Sequence, residues 1–253
     1  VHTDLFFYLV AVPAVVVLGL AKGGFAGLGI LAVPLMALAV SPVEAASIVL
    51  PVLIVQDAVS IWAFRRHWDG RILALMLPSA AVGIAAGYAL AAYVSAAAVA
   101  LAVGLVSILF AAQRLWAERH RAPADSKAPA WFGALCGVGA GFTSQIAHAG
   151  GPPFQLYVLP KRLPRDAFIG TSALFFAAVN LMKMPAYAAL GQFTRANLLT
   201  SAALVPVAVA ATWAGVWLVR RVPADSFYRL IYLLLLMLGA KLVWDGLGDL
   251  AAG

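Results

Sequence analysis

The chain has 253 residues, 64% of them hydrophobic and only 11% charged, and a formal net charge of +7. One water-soluble core of this size cannot hide so much apolar surface, so a soluble enzyme is excluded and a bilayer becomes the main solvent. The positive charge sits in short stretches between apolar spans, which reads as membrane topology and not as a nucleic-acid footprint, so no nucleic-acid partner is expected.

Taken in order, residues 5–40 form an apolar region interrupted near its middle by Lys22-Gly23-Gly24-Phe25-Ala26-Gly27-Leu28-Gly29. Full-length spanning candidates come next at 43–64, 71–92 and 96–116, each near the 20 apolar residues that cross a hydrocarbon core as a helix. A second interrupted region covers 131–160 and breaks at Thr143-Ser144-Gln145-Ile146-Ala147-His148-Ala149-Gly150-Gly151-Pro152-Pro153. Three more spanning candidates lie at 165–189, 198–219 and 226–249. Glycine weakens a helix and proline removes a backbone donor, so both breaks predict unwound chain near membrane depth. Such backbone is tolerated only inside protein or beside a watery cavity. Starting at Val1, the sequence lacks the basic, apolar and cleavable order of a signal peptide and reads as mature membrane protein from near its first residue.

The broken segment occupies the same place in each half. Gly29, Pro42, Glu44 and Ala45 match Gly151, Pro164, Asp166 and Ala167 at a shift of 122, and Pro78, Gly87 and Val94 match Pro206, Gly215 and Val222 at 128. These matches imply an internal duplication: an N-terminal transmembrane repeat at 1–120, a cytoplasmic linker at 121–130 and a C-terminal repeat at 131–253. Charge sets the orientation. With Arg65, Arg66 and Arg71 inside, the linker carrying Arg114, Arg119, Arg121 and Lys127 is also inside, as are Lys161, Arg162, Arg165, Arg220, Arg221 and Arg229. Each half then has an odd number of crossings, so the fold expected is all-α, with two inverted repeats, six transmembrane helices and two interrupted helical hairpins.

Charges at the bilayer centre cost about 2.5 to 3.5 kcal/mol on insertion scales. Lys22, Asp57 and Lys183 are the ones this chain carries inside apolar sequence. Snorkelling or a structural lysine–aspartate pair explains them without function; the alternative is a site for a charged solute with Asp57 as counter-ion or proton carrier. Lys22 heads a break whose unwound N–H groups, at Gly23, Gly24, Gly27 and Gly29, favour an anion. In the second break Thr143, Ser144, Gln145 and His148 stand beside Gly150 and Gly151, and Thr171, Ser172 and Asn180 come after, all able to bond substrate oxygens or simply neighbouring helices.

Two other classes stay in view. The glycines alone suit a membrane scaffold that packs helices closely, and Ser144 four residues before His148 suits an intramembrane hydrolase. The hydrolase lacks an acidic orienter and a nucleophile elbow, so no catalytic residue is assigned. Gly137, Gly139 and Gly141 mimic part of a dinucleotide fingerprint without its strand-turn-helix context. Cys136 is the single cysteine, which leaves no disulfide framework and no cysteine-based metal site, and no cofactor is expected.

The order of Gly24-Phe25-Ala26-Gly27-Leu28-Gly29, Pro34, Pro42-Val43-Glu44-Ala45-Ala46, Gly150-Gly151-Pro152, Pro164-Arg165-Asp166-Ala167 and Gly170-Thr171-Ser172 resembles the TauE/SafE sulfite-exporter family over almost the whole chain. That resemblance implies a multi-pass protein of the bacterial inner membrane that moves sulfite, organosulfonate or a related sulfur-containing anion, with proton coupling and with homodimerisation left open. Ala149-Gly150-Gly151-Pro152-Pro153 stands where the family often carries a longer glycine run. The residue chemistry agrees, since a three-oxygen anion asks for several donors and a positive charge such as Lys22.

Overall fold

The structure is a computed structural model that describes residues 4–25, 29, 32–36, 38–90, 93, 95–119, 128–189 and 191–252, and among these there is no strand. Helix α1 covers Leu5–Gly23, α2 Ala32–Met36, α3 Pro42–Phe64, α4 Gly70–Leu90, α5 Ala96–Arg119, α6 Ala130–Ala147, α7 Gly151–Val158, α8 Arg165–Ala189, α9 Arg195–Val219 and α10 Ala224–Ala252. By length and composition, α1, α3 from Glu44, α4, α8 and α9 each suffice to cross a membrane. Large apolar side chains such as Leu9, Leu109, Leu135 and Met237 point outward, as on a surface that faces lipid. Linker residues 121–127 and Gly27 lie outside the described residues.

Helix starts obey the local chemistry. Ser41 Oγ accepts from Glu44 N at 3.2 Å with Pro42 in the first turn of α3, and Thr194 Oγ1 accepts from Asn197 N at 3.1 Å to open α9. Asp69 Oδ1 takes the free N–H groups of Arg71 and Ile72 at the start of α4.

The first interrupted region breaks within the expected glycine run, and the second breaks later than expected. Residues 5–23 carry one proline, Pro13, and no charge before Lys22, so α1 continues for 19 residues, about 28 Å, and ends at the glycine run. The next helix, α2, is only five residues long. In the second region α6 runs on through Thr143, Ser144 and Gln145 to Ala147, which narrows the break to His148, Ala149 and Gly150 before α7.

Helix pairs pack in a matched pattern. α1 lies on α9 while α6 lies on α4, α3 contacts α9 while α8 contacts α4, and α3–α8 and α5–α10 pair across the middle. Small residues allow the closest of these approaches. A Cβ on Gly23 would stand 2.6 Å from Gly215, and one on Gly104 or Gly239 would stand 2.8 Å from the other's carbonyl oxygen. On the matching pair, a Cβ on Gly141 would overlap Ala80 O, and one on Gly83 would overlap Val138 O. Gly141→Val is therefore expected to force α4 and α6 apart and destabilise the protein by more than the 1–3 kcal/mol typical of overpacking, read as a lower melting temperature in detergent; an unchanged melting temperature would contradict the close α4–α6 approach.

Candidate functional site

Both breaks end a helix in the same way. Gly24, at φ 141°, succeeds α1, and its N–H and that of Phe25 return to Ala21 O and Leu20 O. His148, in the left-handed region at φ 51°, succeeds α6, and its N–H returns to Thr143 O. The N–H groups of Gly24 and Phe25 therefore close the end of α1, so of the glycine N–H groups expected to favour an anion, that of Gly24 is already engaged. In the second break Pro152 and Pro153 remove two of the first-turn donors of α7.

The three membrane charges of the sequence come together. Lys22 Nζ donates to Asp57 Oδ1 at 2.5 Å, and Asn180 Nδ2 donates to Asp57 Oδ2 at 2.7 Å. Asp57 is 1% exposed and so bonded on both oxygens. Ser60 Oγ donates to Lys22 O at 2.7 Å and fixes the end of α1 on α3. One turn beyond Asn180, Lys183 is also 1% exposed, and its Nζ lies 3.3 Å from each of Ser144 O, Ser144 Oγ and His148 Nδ1. Among the described residues these acceptors are all neutral. His148 Nε2 lies 2.7 Å from Tyr187 Oη; with Lys183 as an ammonium, which only donates, Nδ1 is the acceptor and the ring proton belongs on Nε2.

Lys22 and Lys183 line one cavity of about 140 Å³ with Ser144, His148, Asn180 and Ser172, walled on its other sides by apolar residues including Leu18, Leu53 and Phe176. A cavity of roughly 150 Å³ holds a molecule the size of benzene, so this one suits a small solute. Gly24, Gly29, Gly150 and Gly151 also face it. The aromatic ring of Phe176 lies 5.4 Å from Lys22 Nζ.

Other residues singled out in the sequence stand elsewhere. Gly23 is spent on the α1–α9 contact. Thr143 Oγ1 bonds Gly139 O at 2.8 Å and Ala149 O at 3.0 Å, closing the break from behind. Gln145 packs on Gly87 of α4. Thr171 Oγ1 donates to Ala167 O and accepts from Asp69 N at 2.8 Å, where the α3–α4 turn is held against α8. Asp57 sits behind the wall, reaching the cavity only through Lys22 and Asn180. One wall residue escaped the sequence reading. Gln155, on α7, is 1% exposed and lines the cavity. Its signal was present as a lone polar residue four positions after Gly151, on the same helical face.

The hydrolase arrangement is absent among the described residues, because Ser144 Oγ faces Lys183, and His148 is flanked by Lys183 and Tyr187 with no carboxylate orienting it. No cluster of three metal-ligating side chains occurs among them either. A family model described as "Sulfite exporter TauE/SafE" matches residues 11–242. No curated protein and no solved structure matches.

Proposed function

We infer function from the premise that the chain belongs to the sulfite exporter TauE/SafE family, which makes it a multi-pass membrane transporter for a small sulfur-containing anion and not an enzyme. In our reading the cargo is sulfite or an organosulfonate, bound in the central cavity between the two helix breaks of a bacterial inner-membrane exporter. One observation carries this reading: the Lys183 amine is buried, faces the cavity and, among the described residues, has Ser144 and His148 as its hydrogen-bond partners and no carboxylate. Leaving a charge so placed is costly unless an opposite charge joins it. Lys22 and Lys183 against Asp57 leave one positive charge in excess, which a monoanion balances. Titration calorimetry of the purified protein with sulfite and with ethanesulfonate tests this. Saturable binding of either is expected, and heat no greater than dilution for both would refute it.

Two inverted repeats, 1–120 and 131–253, are the architecture we propose around this site. Its support is the matched packing of α1–α9 with α6–α4, together with the site itself. Shifts of 122 or 123 residues pair Lys22 with Ser144, Asp57 with Asn180 and Ser60 with Lys183. Ser60 Oγ to Lys22 O and Lys183 Nζ to Ser144 O are then the same contact in each half, while Asp57 and Asn180 meet as partners at equivalent positions. The arrangement predicts that Arg66→Cys and Arg162→Cys, in a Cys136→Ala background, are both labelled from the cytoplasmic side. Labelling from opposite sides would rule the inverted halves out.

Proton coupling fits through Asp57. An anion that draws Lys22 away leaves a buried carboxylate with one partner fewer, and a proton neutralises it. Release of the anion restores the lysine contact and frees the proton, so cargo and proton move together.

A further inference from the structure

Gln155 projects from the first turns of α7, 1% exposed and on the cavity wall. Its Oε1 is fully covered without a hydrogen-bond partner, and its Nε2 bonds none of the described residues. A buried carboxamide without partners is rare, because each unmade bond forfeits the hydration it had in water. Oε1 can only accept and has nothing to offer an anion, but the unpartnered Nε2 hydrogens can be donated to one. Gln155 stands one helical turn after Gly151, and a Cβ built on Gly151 would lie 3.9 Å from its Nε2, so the amide folds back over the start of α7. That start is where a helix ordinarily offers backbone N–H groups to an anion, and where Pro152 and Pro153 have none to give.

Resting on the reading of this cavity as an anion site, we propose that Gln155 Nε2 donates a hydrogen bond to an oxygen of the bound anion and replaces the backbone donors that the two prolines remove. Lys22 from α1, Lys183 from α8 and Gln155 from α7 then present donors from three separate helices, which matches the three oxygens of a sulfite or sulfonate group.

The test compares wild type with Gln155→Met, close in shape and without polar hydrogen, by titration calorimetry against sulfite and ethanesulfonate and by thermal melting without anion. Loss of one hydrogen bond to a charged ligand weakens binding roughly tenfold or more, while the melting temperature stays level or rises because an unpartnered amide has gone. Affinity within twofold of wild type would overturn the proposal. Should the methionine variant fail to fold, Gln155→Glu keeps the length and polarity and turns the donor into an acceptor; the proposal expects a still larger loss there, and unchanged affinity overturns it equally. If wild type binds neither anion, the anion-site reading itself has failed. If wild type binds and both variants bind alike, the role of Gln155 alone has failed.

Discussion

Lys183→Gln is expected to weaken anion binding by roughly ten- to hundredfold, the range for removing a charged hydrogen-bond partner, while the anion-free protein becomes more stable. The opposite signs arise from the surroundings. Lys183 is buried against Ser144 and His148, neutral groups that satisfy its protons but not its charge. Glutamine keeps a donor for Ser144 O and removes the uncompensated charge, so the empty protein gains and the complex loses. Calorimetric affinity and a melting curve measured on the same preparation read both. A purely structural lysine would give the reverse pattern, with lower stability and unaltered affinity.

Asp57→Asn reverses the sign at the other lysine. Lys22 loses the carboxylate that holds it, and breaking a buried ion pair by removing one member typically destabilises by about 3–5 kcal/mol. An anion entering the cavity can then take the place of that carboxylate at Lys22. The variant is expected to melt well below wild type, to recover much of the difference when sulfite is added, and to bind the anion more tightly. Its flux in liposomes should no longer respond to an imposed proton gradient. A variant that keeps both wild-type flux and the wild-type response to the gradient would remove Asp57 from the coupling mechanism.

Much of this was legible in the sequence because the bilayer imposes simple rules. Apolar runs at 43–64 and 165–189 became α3 and α8 nearly residue for residue, and the cost of charge in hydrocarbon marked Lys22, Asp57 and Lys183, which the fold brings to one place. The finer polar contacts were not legible. Thr143, Thr171 and Ser172 each bond the carbonyl four residues back in their own helix, a use that hydroxyls in apolar helices have regardless of any ligand. Of these only Ser172 lines the cavity. The glycine run after Lys22 signalled a break correctly, yet its N–H groups at Gly24 and Phe25 turned back on α1, because a helix end satisfies its own carbonyls first. Gln155 is a lone polar residue after two prolines in a short apolar stretch, and only the restart of a helix at Gly151 puts it on the cavity face.

The central claim is that the cavity between the two breaks carries a sulfur oxyanion across the membrane. Flux of radiolabelled sulfite into liposomes holding wild type, Lys183→Gln or no protein tests it most directly. The account predicts saturable uptake by wild type that ethanesulfonate inhibits, and uptake by Lys183→Gln reduced at least roughly tenfold at subsaturating sulfite, in line with its lost affinity. Wild-type uptake no faster than that of empty liposomes, or equal uptake by wild type and Lys183→Gln, would contradict it.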